Sequence, residues 1–139
     1  LIIKKNCTKS MISVHNKFKS SVMASMNVNK KNVSRWGIYK VKKKINKQNF
    51  FIQDVVEKPS IKNAPSNKAV IGRYILPKTI FNNLSKQKIG KGGEIHITDA
   101  IQSLIKNNQI FIGHNFSGKY LDCGTMNGYI RSSLEISKI

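Results

Sequence analysis

Acidic residues and arginines are scarce in this chain. Six aspartates and glutamates stand against 25 lysines and arginines, which gives a net charge of +19. The arginines are Arg35, Arg73 and Arg131, so few bidentate hydrogen bonds from arginine to guanine or phosphate are available. Lysines are spread along the whole chain, and lysine, asparagine and isoleucine are abundant together, as in proteins encoded by A/T-rich genomes. Compositional drift with a solvated lysine surface is the favoured explanation, and binding to a polyanion is the alternative.

Paired cysteines and long apolar runs are also missing. Cys7 and Cys123 lie far apart, form no C-x-x-C, and show no metal-ligand spacing with the three histidines. No stretch approaches the roughly 20 apolar residues that span a bilayer, and the segment 1–5 has the wrong order for a signal peptide. These absences predict a soluble cytoplasmic protein that does not enter a membrane.

A glycine-rich phosphate-binding loop is absent as well. The run Gly90-Lys91-Gly92-Gly93 neither follows a predicted strand nor directly precedes a helix, so we predict that it is a connecting loop. The chain also opens on Leu1 instead of methionine. We therefore expect residues 1–139 to be a single partial domain, cut from a longer reading frame, that lacks a complete βαβ nucleotide-binding start.

The segments that are present alternate between strand and helix patterns. This alternation predicts an α/β fold, with a mixed sheet flanked by helices. In the first predicted strand, Val22, Ala24, Met26 and Val28 should face one side. Strands are predicted over 21–28, 36–41, 50–56, 68–76, 110–112 and 119–121, and helices over 8–18, 77–86, 98–107 and 126–137, with a lysine-rich loop over 42–49.

The sequence also predicts two local conformations. Pro59 should hold Lys58 in an extended conformation, because a residue before proline is disfavoured in the helical region. Thr98 is placed to cap the helix that follows it, with Glu94 and Asp99 helping to organise the helix start.

A series of short motifs in a fixed order resembles a known enzyme family. They are Trp36-Gly37, Glu57-Lys58-Pro59, Ala64-Pro65-Ser66-Asn67, Gly72-Arg73-Tyr74, Gly92-Gly93-Glu94-Ile95-His96-Ile97-Thr98-Asp99-Ala100 and Asp122-Cys123-Gly124-Thr125. Together they resemble the sugar-binding, C-terminal half of bacterial UTP–glucose-1-phosphate uridylyltransferases, members of the sugar-phosphate nucleotidyltransferase superfamily. The resemblance implies a Rossmann-like nucleotide-diphospho-sugar transferase fold, present as its C-terminal half without the nucleotide-binding half.

The resemblance also implies roles for individual residues. Glu57 would hold the glucose hydroxyls, and Lys58 would contact and partly neutralise the attacking phosphate, which makes it the candidate catalytic residue. Gly37 would let the sugar approach the backbone, although a glycine needed only for packing is an equal alternative. Asp122 would help to bind Mg²⁺, with capping of the following helix as the alternative.

The implied reaction joins UTP and glucose 1-phosphate to form UDP-glucose and pyrophosphate. Because the nucleotide-binding half is not expected here, the chain should be inactive alone, and the full-length protein should be a homo-oligomer. Two other hypotheses stay open: a small basic protein that binds nucleic acid, which the scarcity of arginine disfavours, and a decayed gene product without activity.

Overall fold

A computed structural model of the chain describes residues 2–3, 6–89 and 93–138. Most of the predicted connector, Gly90 to Gly92, lies outside these residues. The elements in chain order are β1 (Ile2–Ile3), α1 (Cys7–Phe18), β2 (Ser21–Asn27), a 3₁₀ helix (Lys30–Arg35), β3 (Ile38–Lys44), β4 (Asn49–Val56), β5 (Lys68–Ile75), α2 (Ile80–Lys86), α3 (Ile97–Lys106), β6 (Phe111–Asn115), β7 (Lys119–Tyr120) and α4 (Met126–Ile136).

The chain forms two compact units. The larger unit is Thr8–Phe116, and the smaller one contains the described residues of Leu1–Cys7 and Ser117–Ile139. Each unit is stabilised by its own strand pairing.

In the larger unit five strands pair in the order β2, β5, β3, β4, β6, and β6 returns to β2 to close the ring. The β2–β6 pair is parallel, and the others are antiparallel. A mixed sheet accompanied by helices is therefore confirmed. Closure of the sheet was not predicted, because it depends on pairing between strands that are distant in sequence.

Strand β2 differs from its predicted pattern. The residues from Val22 to Ser25 are all buried, so the strand does not alternate between a buried and an exposed face. The predicted strand is confirmed, and β2 pairs with β5 on one edge and with β6 on the other. Burial from Val22 to Ser25 shows that its second face is covered in addition to the predicted apolar side.

The core of the larger unit is built around aromatic side chains. Tyr39 and Phe50 are buried with their rings at 67° and their centroids 5.7 Å apart. The Tyr39 hydroxyl donates a hydrogen bond to the Ala24 carbonyl at 2.9 Å, and burial raises the pKa of Tyr39 well above its usual value. Helix α3 adds Ile101 and Leu104, which fall at helical spacing on its apolar face.

The lysine-rich loop is shorter than predicted. Strand β3 continues to Lys44 and β4 begins at Asn49, so only residues 45–48 form the turn. The Asn49 carbonyl accepts hydrogen bonds from the N–H groups of Ile45 and Asn46 and closes this turn. Lysine side chains extend into solvent from a strand as readily as from a loop, so their charge masked the strand pattern.

In the smaller unit β1 and β7 pair antiparallel, with Ile2 opposite Tyr120 and Ile3 opposite Lys119. An ion pair joins Lys119 to Glu135 on α4, and this contact lowers the pKa of Glu135. Among the described residues, none of the helices has the length and the apolar composition that crossing a membrane requires.

Candidate functional site

The β3–β4 hairpin brings two of the predicted site residues together. Ile38 pairs with Val56 at the open end of this ladder, so Gly37, just before β3, and Glu57, just after β4, lie side by side. The Gly37 carbonyl accepts a hydrogen bond from Val70 N–H at 2.8 Å, which fixes this end of β3 against β5. The regular pairing at this end of the ladder, from Ile38 to Lys40, therefore delivers both residues to one place.

A cleft of about 250 Å³ opens beside this pair. A Cβ placed on Gly37 would lie 3.0 Å from Glu57 Oε2, 3.2 Å from Val70 Cγ2 and 3.5 Å from Thr98 Cγ2. The absence of a side chain at Gly37 thus leaves room for the Glu57 carboxylate. The remaining lining residues are Arg35, Trp36, Tyr74, His96 and Ile97.

Glu57 is half-buried, and within the described part of the chain its carboxylate makes neither a hydrogen bond nor an ion pair. Partly buried carboxylates normally have a partner, because removal from water is costly for a charge. The Glu57 side chain is therefore placed to accept hydrogen bonds from a bound molecule.

Lys58 is placed differently from its neighbour. Its side chain is exposed and does not belong to the cleft lining. Its backbone has φ 40°, in the left-handed region, so the prediction of an extended residue was wrong. The Lys58 N–H donates to the Trp36 carbonyl at 3.1 Å, and this bond turns the chain against the preference that Pro59 imposes.

Thr98 belongs to the cleft and does not cap helix α3. The helix begins at Ile97 with His96 at the cap position, two residues before Thr98, so the prediction that Thr98 caps the helix was wrong. Thr98 is 6% exposed, and its hydroxyl has no hydrogen-bond partner among residues 2–3, 6–89 and 93–138. A buried hydroxyl without a partner is uncommon in folded proteins and often marks a place where a ligand binds.

Sequence reasoning also missed Arg35 as a site residue. Its guanidinium lies 5.9 Å from the centre of the Trp36 ring, a cation–π distance, and both residues line the cleft. The position of an arginine immediately before Trp36-Gly37, in a chain with few arginines, was the available signal. Arg35 adds a permanent positive charge to a cleft that also holds a carboxylate.

Asp122 lies in the smaller unit, after β7. Its Oδ1 accepts a hydrogen bond from Gly124 N–H at 3.1 Å, whereas Thr125 caps α4 by accepting from Gly128 N–H. The described residues hold no cluster of three histidine, cysteine or carboxylate side chains that could ligate a metal. A single carboxylate still fits Mg²⁺, which takes one or two protein carboxylates and completes its shell with water and substrate phosphates.

Comparison with known proteins agrees with this fold. A profile described as nucleotidyl transferase matches residues 1–139. The UTP–glucose-1-phosphate uridylyltransferase of Pseudomonas aeruginosa is 37% identical over 125 residues, which cover 90% of this chain and 44% of the relative. UTP–glucose-1-phosphate uridylyltransferase 2 of Streptococcus pyogenes is 37% identical over 131 residues, which cover 94% of this chain and 44% of the relative.

Solved structures show the same relationship. A UDP-glucose pyrophosphorylase in complex with UDP-glucose is 40% identical, with a TM-score of 0.92 over 99% of this chain and 53% of that chain. A UTP-bound enzyme from Acinetobacter baumannii is 30% identical, with a TM-score of 0.83 over 98% of this chain and 47% of that chain. The chain spans about half the length of the relatives it matches. The nucleotidyltransferase fold predicted from the motifs is confirmed, and the chain belongs to the nucleotidyl transferase family.

Proposed function

We propose that this chain supplies the sugar-phosphate-binding part of a UTP–glucose-1-phosphate uridylyltransferase. One observation carries the proposal: the Glu57 carboxylate and the Thr98 side chain both lie against Gly37 in one cleft, and neither the half-buried carboxylate nor the buried Thr98 hydroxyl has a hydrogen-bond partner among the described residues. The names of the relatives in Pseudomonas aeruginosa and Streptococcus pyogenes support the choice of substrates.

A hexose suits this arrangement of groups. Its hydroxyls can donate hydrogen bonds to the Glu57 carboxylate and can exchange hydrogen bonds with the Thr98 hydroxyl. Gly37 contributes indirectly, because the absence of a side chain there leaves room for the Glu57 carboxylate. Trp36 and Tyr74 line the same cleft, and aromatic side chains pack well against the apolar faces of sugars.

Two positively charged side chains could bind the phosphate of the sugar phosphate. Arg35 lines the cleft, and Lys58 stands at the exit of the hairpin with an exposed side chain that no described residue pairs with. An ammonium at this place would position the phosphate and neutralise part of its charge. We assign this role to Lys58 and propose Arg35 as a second contact.

In the proposed reaction an oxygen of the glucose 1-phosphate attacks the α-phosphorus of UTP. A new P–O bond forms, and the bond to the leaving pyrophosphate breaks. When bound, Mg²⁺ would neutralise phosphate charge, and Asp122 would be one of its ligands. Since the chain covers about half of its relatives, we propose that the UTP-binding groups come from elsewhere in a longer protein and that the chain alone does not turn over.

A chimera tests the proposal. The matching segment of the Pseudomonas aeruginosa relative is replaced by this chain, and UDP-glucose formation is followed with UTP and glucose 1-phosphate. We expect turnover by the chimera. Lys58→Ala should lower kcat/KM by about a hundredfold, the usual cost of losing one charge-stabilising contact.

The matched control is Lys62→Ala, which removes another exposed lysine from the loop after the hairpin. It should leave kcat/KM nearly unchanged. Turnover of the Lys58→Ala chimera at the control rate would exclude Lys58 as the phosphate contact. A folded chimera that binds neither UDP-glucose nor glucose 1-phosphate would overturn the proposed function.

A further inference from the structure

A second cleft in the larger unit has a volume of about 550 Å³. It is bordered by β3, β4, the end of α3 and the start of β6, and it shares no lining residue with the cleft at Gly37. Its volume lies within the range of about 300–1,000 Å³ that is typical of small-molecule sites.

Two opposed β-bulges shape one wall of this cleft. Lys40 pairs with Asp54 and Val41 pairs with Ile52, so Gln53 is an extra residue on β4. The next pair joins Lys43 to Phe51, which leaves Lys42 as an extra residue on β3. Both extra residues line the cleft.

This irregularity has a chemical consequence. In a regular strand Lys42 and Lys43 would point to opposite faces. Bulges re-aim side chains and are frequent beside binding sites, and here both lysines line one cleft. The described lining contains no acidic side chain to neutralise them.

The opposite wall is formed where α3 ends. Asn108 has φ 63°, and the N–H of Gln109 donates to the Leu104 carbonyl at 3.1 Å, which turns the chain sharply out of the helix. The turn brings Gln109 and Ile110 into the cleft, and Ile110 is 60% exposed. Half-buried Phe51 lies in the same lining.

We propose that this cleft is a binding site for a nucleoside diphosphate. The ammonium groups of Lys42 and Lys43 pair with the phosphates. Phe51 and Ile110 provide an apolar surface for the flat base, and the side-chain amides of Gln53 and Gln109 can hydrogen-bond to polar edges. This site is independent of the proposed transferase function.

The test uses the 139-residue chain, with ADP as the probe, in titration calorimetry and in amide chemical-shift mapping. We expect saturable binding, with shifts concentrated at residues 42–43, 51–53 and 109–110. The double variant Lys42→Gln, Lys43→Gln should weaken ADP binding by at least about tenfold, because each lysine supplies a charge-assisted contact.

The control is Lys47→Gln, Lys62→Gln, which lowers the net charge by the same amount at exposed lysines outside the cleft. Its affinity for ADP should match that of the wild type. Glu57→Gln should also leave binding unchanged, which separates this cleft from the one at Gly37.

Three results would overturn the proposal. The first is an equal loss of ADP affinity in both double variants, which would indicate general attraction to a basic chain. The second is chemical-shift changes confined to the Gly37 cleft. The third is binding of inorganic pyrophosphate as tightly as ADP, which would exclude a contribution from Phe51 and Ile110. A matching amide spectrum of each variant shows that the fold is retained.

Discussion

The Glu57 carboxylate occupies space that a side chain at Gly37 would need. A Cβ on residue 37 would lie 3.0 Å from Oε2 of Glu57, closer than such carbon atoms normally approach an oxygen, and 3.2 Å from Val70 Cγ2. Because Val70 is packed in the core, the carboxylate is the group that would have to move. The position of Glu57 therefore depends on glycine at position 37.

We expect Gly37→Ala to displace the Glu57 carboxylate and to weaken sugar binding. In the chimera the KM for glucose 1-phosphate should rise by about tenfold or more, because a contact to the sugar hydroxyls is lost or bent. Steady-state kinetics at saturating UTP measure the change. An unaltered KM would indicate that Gly37 serves packing alone.

Gly113→Ala is the contrasting substitution. A Cβ on Gly113 would overlap the Phe50 ring, which is buried against Tyr39 and cannot move away. Overpacking of this kind costs about 1–3 kcal/mol of unfolding free energy. Denaturant unfolding should show this loss, whereas sugar affinity of the folded fraction should be unchanged.

Thr98→Val separates stability from binding. The Thr98 hydroxyl is buried without a partner in the described part of the chain, so its replacement by a methyl group of similar size should not destabilise the fold. We expect an unfolding free energy equal to or slightly above that of the wild type, together with weaker binding of UDP-glucose. Calorimetry on the same samples measures both quantities. Loss of stability with intact binding would mean that the hydroxyl serves the fold.

Lys58 allows the side chain and the backbone to be tested separately. Its φ of 40° costs a residue with a Cβ about 1–2 kcal/mol, a cost that glycine avoids. The unfolding free energy of Lys58→Gly should therefore exceed that of Lys58→Ala by about 1 kcal/mol, and its denaturant midpoint should be higher. Both variants lack the ammonium, so both should lose turnover equally. A difference in turnover between them would show that backbone conformation, as well as charge, contributes.

His114 should make the stability of the fold depend on pH. The side chain is 5% exposed, its Nδ1 lies 2.7 Å from Asn49 Oδ1, and burial lowers the pKa of His114 below 6.5. The unfolded chain takes up the proton near 6.5, whereas the folded chain takes it up only at lower pH. The stabilisation is therefore complete above the unfolded pKa and is lost as the pH falls through the folded pKa.

The measurement is the melting temperature at about pH 7.5 and about pH 5, for wild type and His114→Gln. The variant should lose less stability between these two pH values. Identical responses in both proteins would exclude His114 as the titrating group.

Local sequence patterns predicted part of the candidate site. Gly37 and Glu57 were named because their motifs resemble those of a known family, and the strand patterns over 36–41 and 50–56 on either side of a loop indicate a hairpin that delivers Glu57 at its exit. Arg35 and Thr98 were missed, because each reads as an ordinary residue near a helix terminus until β5 and α3 pack against the hairpin. Lys58 was assigned the wrong conformation, because one hydrogen bond to Trp36 outweighs the local preference set by Pro59.

The sequence alone determined the order of the motifs, the helices and strands, and the pairing of β3 with β4, since these depend on periodicity and on contacts between near neighbours. Tertiary structure alone decided that the five strands close into a ring, that Thr98 lies beside Glu57, and that Lys42 and Gln53 turn toward one cleft. Ring closure and bulges depend on the register between distant strands, which is set by how side chains fill a shared core. A local sequence pattern does not determine the register between distant strands, so the register is known only from the paired strands of the folded chain.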